Sequence, residues 1–453
     1  MAGADGTSGS ATTHLPVRGA GLDAASVLTV FVVLLLAVPS PMVVAPLGTA
    51  GAPSTIAALG GFALWAWFHV QRTAPGAVDR QPVRLAALGW LLAILAVYAY
   101  AMGSPLPGDE ISPADSGLLK AVGLVGLVVL ANDGTPTFER HRALVRRLLI
   151  GVGLVAVLGV VQYSTKQLFV DRLSIPGLTN GTADWVLSTR SGLIRPSGTA
   201  THPIEFGVVL TMVLPLAITF ALRSPTRRWL YRLLLAPIAL AVFLSISRSA
   251  VLCALVALVV LAVRWSARVR LGALVVTLGA TAVVYLLVPG VLGTIGRLFT
   301  GAGNDPSITS RTDSYQIVET FFERSPVLGR GFGTFLTRYW ILDNGYLGLL
   351  IEGGVVGLGG LLLLIATTLV AASTARRAAA ASFDQEVAHA LLAAVAAGAC
   401  SLAFFDTFAF PQSAGCFFLL IGLVGASRRL ALQDATTTRV AAVERRRTEE
   451  VVA

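Results

Sequence analysis

NGYLGLLIEGGVVGLGGLLLLIATTLVAAS, residues 344–373, holds a single charged side chain, Glu352, in an otherwise apolar, glycine-rich run. A bilayer core about 30 Å thick is crossed by roughly 20 apolar residues in an α-helix. The stretch is therefore long enough to span a membrane with turns to spare. Working outward, similar runs recur at 27–44, 55–71, 83–102, 117–131, 146–165, 203–222, 230–246, 249–263, 271–288, 387–409 and 411–426. The 453-residue chain is 55% hydrophobic and 13% charged, against about 25% charged in a soluble domain. Its mean hydropathy is +0.77. That composition excludes a soluble enzyme, a disordered chain and a peripheral protein with a single anchor. The expected fold class is an all-α polytopic membrane protein with about 12 transmembrane helices.

The connections sort by charge. Arg72, Arg80 and Arg84 share one; Arg140, Arg142, Arg146 and Arg147 lie in the next but one, followed by Arg223, Arg227, Arg228 and Arg232. Arg264, Arg268 and Arg270 come next, then Arg376 and Arg377, then Arg428 and Arg429. Between them, 103–116 carries Asp109, Glu110 and Asp115 without a Lys or Arg. Cytoplasmic loops collect basic residues, so the alternation predicts both termini in the cytoplasm. The net charge of +10 thus reports orientation, and no nucleic-acid partner is expected. Residues 1–26 read as a disordered cytoplasmic N-terminus without a cleaved leader. The transmembrane domain occupies 27–426, and 427–453 forms a basic cytoplasmic tail. Cys253, Cys400 and Cys416 fall inside apolar runs, so they are expected as buried small side chains, with no disulfide and no metal site.

Two outer connections, 166–202 and 289–343, exceed the roughly 12–15 residues of ordinary loops. In the second, Ser310 and Asp313 form a helix start signal. Ile308, Tyr315, Val318, Phe321 and Phe322 then share one helical face, which predicts an amphipathic helix at the membrane surface. Gly329, Gly331 and Gly333 read as turn residues, because no strand precedes them as a nucleotide loop would require.

Function should lie where polar residues enter the membrane against their cost, about 2.5–3.5 kcal/mol per Arg or Asp at a helix centre. Ser245-Ile246-Ser247-Arg248-Ser249 is a tight outer turn between two spans. Arg195-Pro-Ser-Gly-Thr leads to His202 and Glu205, which open the sixth span and suit either helix capping or proton transfer. Arg311 opens the outer amphipathic helix. Asp343, Asn344 and Tyr346 enter the tenth span, with Glu352 about two turns deeper, and Asp406 ends the eleventh on the same side. Arginine gives planar, permanently charged recognition of phosphate, and a carboxylate or imidazole beside it can take a proton from a sugar hydroxyl. Glycines 353, 354, 357, 359 and 360 read as close helix packing.

In order along the chain, four stretches carry a resemblance: Arg195-Pro-Ser-Gly-Thr; Ser245-Ile-Ser-Arg248-Ser; Arg311 followed by Ser325-Pro-Val-Leu-Gly-Arg-Gly-Phe-Gly333; and Asp343-Asn344-Gly-Tyr346-Leu347 through Glu352-Gly-Gly-Val-Val-Gly357. Over this motif core, about 195–360, the chain resembles the O-antigen ligase and O-antigen polymerase superfamily of bacterial membrane glycosyltransferases. The resemblance implies a GT-C-like fold in the bacterial inner membrane with an extracytoplasmic active face. It implies transfer of a glycan from a polyprenyl-diphosphate carrier to a glycan or glycolipid acceptor, without metal or other cofactor. It assigns Arg248 and Arg311 to the lipid phosphate, and Arg195 joins them as a further candidate phosphate contact. It places Asp343 where the ligase has its catalytic histidine. Asp343, His202 and Glu205 therefore compete as base, with Asn344, Tyr346, Glu352 and Asp406 in support. Ligase and polymerase both remain open. A secondary transporter or glycolipid flippase with twelve spans is the reading from another class, but the polar sites cluster on one face instead of recurring as paired repeats.

Overall fold

The computed structural model describes residues 23–71, 81–181, 186–190, 192–287 and 306–452, with isolated residues between 290 and 296. The expected disordered N-terminus falls almost wholly outside them, as do the side chains of 306–313, including Ile308, Ser310, Arg311 and Asp313.

Thirteen helices follow one another among the described residues: α1 (Ala24–Ala37), α2 (Pro53–Val70), α3 (Pro82–Met102), α4 (Gly108–Gly134), α5 (Phe138–Thr165), α6 (Pro203–Arg223), α7 (Arg228–Leu244), α8 (Arg248–Ala262), α9 (Ala267–Leu287), α10 (Pro306–Phe322), α11 (Gly345–Ala378), α12 (Ser382–Ser401) and α13 (Pro411–Val452). Each of the twelve apolar runs falls on a helix. Six helices (α3, α4, α5, α6, α11 and the first part of α13) are long and apolar enough to cross a membrane. The bent pair Ala45–Gly51 and α2, angled by 75°, makes a seventh if it is one span. α1 and α8 are apolar but shorter, at 14 and 15 residues. The basic tail is a helical continuation of α13.

Small residues let these helices approach. On α4, Gly126 faces Ala58 and Phe62 of α2, with no room for a Cβ. On α13, Gly422 meets Val128 and Ala131 of α4 in the same way. Close backbone approach of this kind replaces the hydrophobic driving force that lipid cannot supply. Trp90 of α3 is fully buried, and its indole N–H donates to the Gly357 carbonyl of α11 (3.2 Å). α9, by contrast, presents Leu271, Leu274, Val275 and Leu278 on its exposed surface.

Charged residues separate to the two ends of the bundle. At one end Arg84 pairs with Asp133 (3.1 Å), Arg140 with Asp23, and Arg142 with Asp384 (3.4 Å). The first joins the start of α3 to the end of α4, and the other two join the start of α5 to the starts of α1 and α12. At the other end the fully buried Glu110 carboxylate accepts from Arg330, Arg338 (2.9 Å) and Tyr339. The Arg330 guanidinium also lies over the Tyr339 and Phe321 rings, 4.7 and 5.1 Å from their centroids. This knot fastens the second long connection to the start of α4.

Three local expectations need correction. α10 begins at Pro306, ahead of Ser310, because proline is pre-organised for a first helical turn. Tyr315 is exposed, and the packed face is instead Ser314, Val318 and Phe321, set against Leu342, Trp340 and Ile351. The first long connection contains short strands: its β2 (Thr179–Asn180) pairs with β1 (Met42–Val43), which lies between α1 and α2, and its β3 (Ser188–Arg190) pairs with β4 (Leu193–Arg195).

Candidate functional site at one end of the bundle

β4 delivers Arg195, and the loop after it is rigidly held. Gln162, near the end of α5, accepts from the backbone N–H of Ser197 (3.2 Å) and Gly198 (2.8 Å) and donates to the carbonyls of Leu168 and Gly198 (both 2.8 Å). Thr199 donates to the Leu36 carbonyl and accepts from the Gln412 amide (2.8 and 2.9 Å). Arg195 is 7% exposed, and its Nε donates to the Ser245 carbonyl at 2.9 Å. Its Nη2 and the buried Ser197 hydroxyl have no hydrogen-bond partner among the described residues. Burial, and secondarily the charge of Arg190, push the Arg195 guanidinium down to about 10, still cationic at neutral pH. Buried donors are normally satisfied, so these two unpartnered groups, two residues apart on one fixed loop, single it out.

Ser245 belongs to the turn between α7 and α8. Ile246 there adopts φ 44° while fully buried, a left-handed conformation that is an outlier for a β-branched side chain. Strain of this kind persists only where the surroundings enforce it. Ser247 then caps α8, its Oγ accepting from Ala250 N–H (3.4 Å) and lying 2.8 Å from Ser249 Oγ. Arg248 is thereby fixed as the first residue of α8. Gly207 of α6 makes room for the turn, since a Cβ there would press on Ser245 and Ala250.

His202 is the N-cap of α6: its Nδ1 accepts from Ile204 N–H at 3.2 Å. Burial, then the nearby charge of Arg195, depress the imidazole to about 4. Glu205 is fully buried, one oxygen accepting from Thr201 N–H (2.8 Å) and the other from Gln412 N–H (2.7 Å). It joins the N-termini of α6 and α13. Both residues thus carry the capping role weighed above, with their acceptor atoms engaged by backbone donors.

Asn344 caps α11 by accepting from Tyr346 N–H (3.0 Å) and Leu347 N–H (3.1 Å). Gly345 N–H donates to the Leu402 carbonyl (2.7 Å) and the Tyr346 hydroxyl to the Ala399 carbonyl (2.7 Å). These bonds dock the start of α11, with Asp343 just ahead of it, on the 399–406 segment. Asp406 accepts from Phe408 N–H at 3.0 Å. Burial pushes its carboxyl up; the Phe408 bond and the charge of Lys120 pull it down, and the charge of Asp343 raises it again. Asp343 and Asp406 thus lie at the two sides of this docking contact.

Glu352 lies at a break in α11. Gly354 has φ 59° and ψ −163°, a region open only to glycine. The helix groups freed by the break bond to the glycine-rich loop: Gly331 N–H donates to the Glu352 carbonyl (2.9 Å), Arg330 N–H to Ile351 (3.1 Å), and Val355 N–H to Pro326 (2.9 Å). The Glu352 carboxylate accepts from Phe335 N–H (3.0 Å). Gly329, Gly331 and Gly333 all have positive φ, as turn residues should. The α11 glycines divide. Gly360 packs closely on Trp90, as expected, whereas Gly354 is the break itself.

The structure thus gathers Arg195, Arg248, His202, Glu205, Asp343, Asn344, Tyr346, Glu352 and Asp406 at one end of the bundle. Arg311 lies on α10 with its side chain outside the described residues. Sequence reasoning missed Gln162, Ile246 and the Glu110 knot. A lone glutamine near the end of an apolar run was the available signal for the first. The left-handed φ of Ile246 left none.

No curated protein matches the chain. Residues 233–362, from α7 through the Arg248 turn, the α10 segment and the break in α11, match the family model described as O-Antigen ligase. Arg248, Arg311, Asp343, Asn344, Tyr346 and Glu352 lie inside that match, and Arg195, His202, Glu205 and Asp406 outside it. This stretch is therefore similar to the O-antigen ligase family, which supports the resemblance to the O-antigen ligase and polymerase superfamily.

Proposed function

We propose that the protein transfers a glycan from a polyprenyl-diphosphate carrier to an acceptor hydroxyl on the outer face of the bacterial inner membrane, as a polysaccharide polymerase or ligase. Twelve spans in a GT-C-like arrangement, with both termini cytoplasmic, place the site extracytoplasmically in this reading. The observation that carries it is Arg195: a buried guanidinium, fixed through Nε, that keeps Nη2 for a ligand oxygen beside the turn bearing Arg248. Arg195, Arg248 and Arg311 hold the diphosphate.

Asp343 takes the acceptor's hydroxyl proton. The acceptor oxygen forms a bond to the anomeric carbon, the bond from that carbon to the diphosphate oxygen breaks, and polyprenyl diphosphate leaves with the electron pair. At about 4 Å and an effective dielectric near 20, each Arg–phosphate pair contributes roughly 4 kcal/mol before desolvation, which stabilises that leaving group. Asp406 supports Asp343 as base, since neighbouring carboxylates raise each other's proton affinity. His202 and Glu205 serve the framework as caps.

The test uses purified protein in vesicles with a cell-derived pool of polyprenyl-linked glycans, the lipids being read by mass spectrometry. Release of polyprenyl diphosphate with an enlarged glycan, lost in Arg248→Ala, is expected. Intact donors moved between leaflets would instead make the protein a glycolipid transporter.

A further inference from the structure

α3 and α11 diverge towards the end of the bundle opposite the candidate site. Where they meet, Gly360 of α11 packs on Trp90 of α3 so closely that a Cβ would press on the ring. About two to four turns farther along α11, a cleft of about 340 Å³ opens between that helix, the first residue of α3 and α13. Thr367, Val370 and Thr374 of α11 line it together with Ala366, Pro82 and Arg428. The three fall at i, i+3 and i+7, on one face of the helix, so a face that would ordinarily pack on a neighbour here borders open space.

The cleft has two unlike ends. On α11, Leu362, Leu363 and Val370 are exposed, and Ala366 lies between them on the same face. They form an apolar stripe on a helix long and apolar enough to cross a membrane, and the stripe leads into the cleft. At the other end stand Thr374 and Arg428, with Arg376 and Arg377 in the last turn of α11. The rise from Leu363 to Thr374 is roughly 16 Å, close to the hydrocarbon depth of about 15 Å that one leaflet supplies. Arg429, the next residue after Arg428, donates to the Asn132 carbonyl at the end of α4 (2.8 Å). Successive helical residues point about 100° apart, so that bond turns Arg428 away from α4 and towards the cleft. α3 opens at Pro82 with no acid in its first turn, and no carboxylate lines the cleft among the described residues.

We infer that this cleft binds an anionic phospholipid, its phosphate on Arg428 and one acyl chain along the Leu363–Val370 stripe. The guanidinium suits phosphate by shape as well as by charge, and basic pockets between spans are a recurrent way of holding acidic headgroups. A zwitterionic headgroup would bring a second cation to Arg428, Arg376 and Arg377, with no carboxylate in the cleft to receive it. The inference does not depend on the transfer reading, since cleft and candidate site lie at opposite ends of the bundle.

The test takes delipidated full-length protein in detergent and follows bound lipid by native mass spectrometry. The probes are phosphatidylglycerol, phosphatidylcholine with the same acyl chains, and inorganic phosphate. Wild type is expected to bind phosphatidylglycerol at least about tenfold more tightly than phosphatidylcholine, the effect of one charge-assisted hydrogen bond. Arg428→Gln should remove that preference. Ala366→Phe, which fills the apolar part and keeps every charge, should weaken phosphatidylglycerol about tenfold. Arg268→Gln, at an exposed position of α9 outside the cleft, should stay within about twofold of wild type. Equal affinity of wild type for the two lipids overturns the inference. So does a loss in Arg268→Gln that matches Arg428→Gln, because attraction would then be diffuse. Displacement of the lipid by millimolar inorganic phosphate would make a free anion the ligand and overturn it as well. Should Arg428→Gln fail to fold, unchanged phosphatidylglycerol binding in Ala366→Phe decides against the cleft.

Discussion

Arg195 uses its guanidinium twice, with Nε committed to the Ser245 carbonyl and Nη2 kept for another oxygen. Lysine carries all its donors on one nitrogen and lacks the planar fork that spreads Nε from Nη2, so Arg195→Lys is expected to lower kcat/KM by about 10- to 100-fold. That is the loss of one charge-assisted hydrogen bond, roughly 1.5–3 kcal/mol, and turnover measured in vesicles checks it; wild-type turnover would remove Arg195 from the phosphate set. His202 makes the opposite prediction. Asparagine also caps helices, so His202→Asn should retain activity, while His202→Ala should cost about 1 kcal/mol of stability, read from denaturant unfolding in detergent. The pH dependence has a definite sign. The buried imidazole titrates near 4 and an unfolded one near 6.5, so the unfolded state binds the extra proton between those values. Stability is then full above 6.5 and falls as pH drops toward 4, and His202→Asn should flatten that slope. The sequence left capping and catalysis open for His202 and Glu205, since one spacing serves both. What separates them is which atoms the acceptors face, and for Glu205 that depends on Gln412, distant in the chain and brought over by folding.

At the scale of elements, the break in α11 governs the outer loop. Gly354 needs a conformation closed to other residues, and a Cβ there would collide with the Val327 carbonyl. Gly354→Ala is expected to cost at least about 1–2 kcal/mol from backbone strain alone and to abolish activity by detaching the 325–335 loop. Gly359→Ala meets nothing within 4 Å and should be neutral or gain up to about 1 kcal/mol. Thermal unfolding of the pair distinguishes a joint from a packing surface; equal effects would mean the glycines act only by size. Helix existence was legible because each apolar run exceeds what a soluble loop tolerates. The break was not, because a glycine that allows close packing and one that allows a left-handed φ are spelled alike. The start of α10 slipped for a related reason: Ser310 and Asp313 form a plausible cap, but Pro306 opens the helix earlier.

For the whole molecule, charge partition between the two ends is the testable property. The ion pairs of Asp23, Arg84, Asp133, Arg140, Arg142 and Asp384 share one end, and the Glu110 knot and the candidate site share the other. Cysteines placed at Ser104 and Asn180 are expected to react with an impermeant reagent in intact cells; reaction only after permeabilisation would invert the orientation. Alternating basic connections made this partition readable from sequence, because orientation is written in local charge. The assembly of the site was less readable, since its parts come from five separated segments joined by backbone hydrogen bonds.

Glu205 gives that assembly a schedule. Its second oxygen is satisfied by Gln412, 207 residues later in the chain. At roughly 5–20 residues per second of synthesis, the carboxyl waits on the order of 10–40 s for its partner. Throughout that interval α6 is already made, and an acid destined for full burial has no final donor. The site is therefore completed only once α13 is made, and a chain ending before Pro411 would present the membrane's quality-control machinery with a carboxyl lacking its second donor at one end of an unfinished bundle.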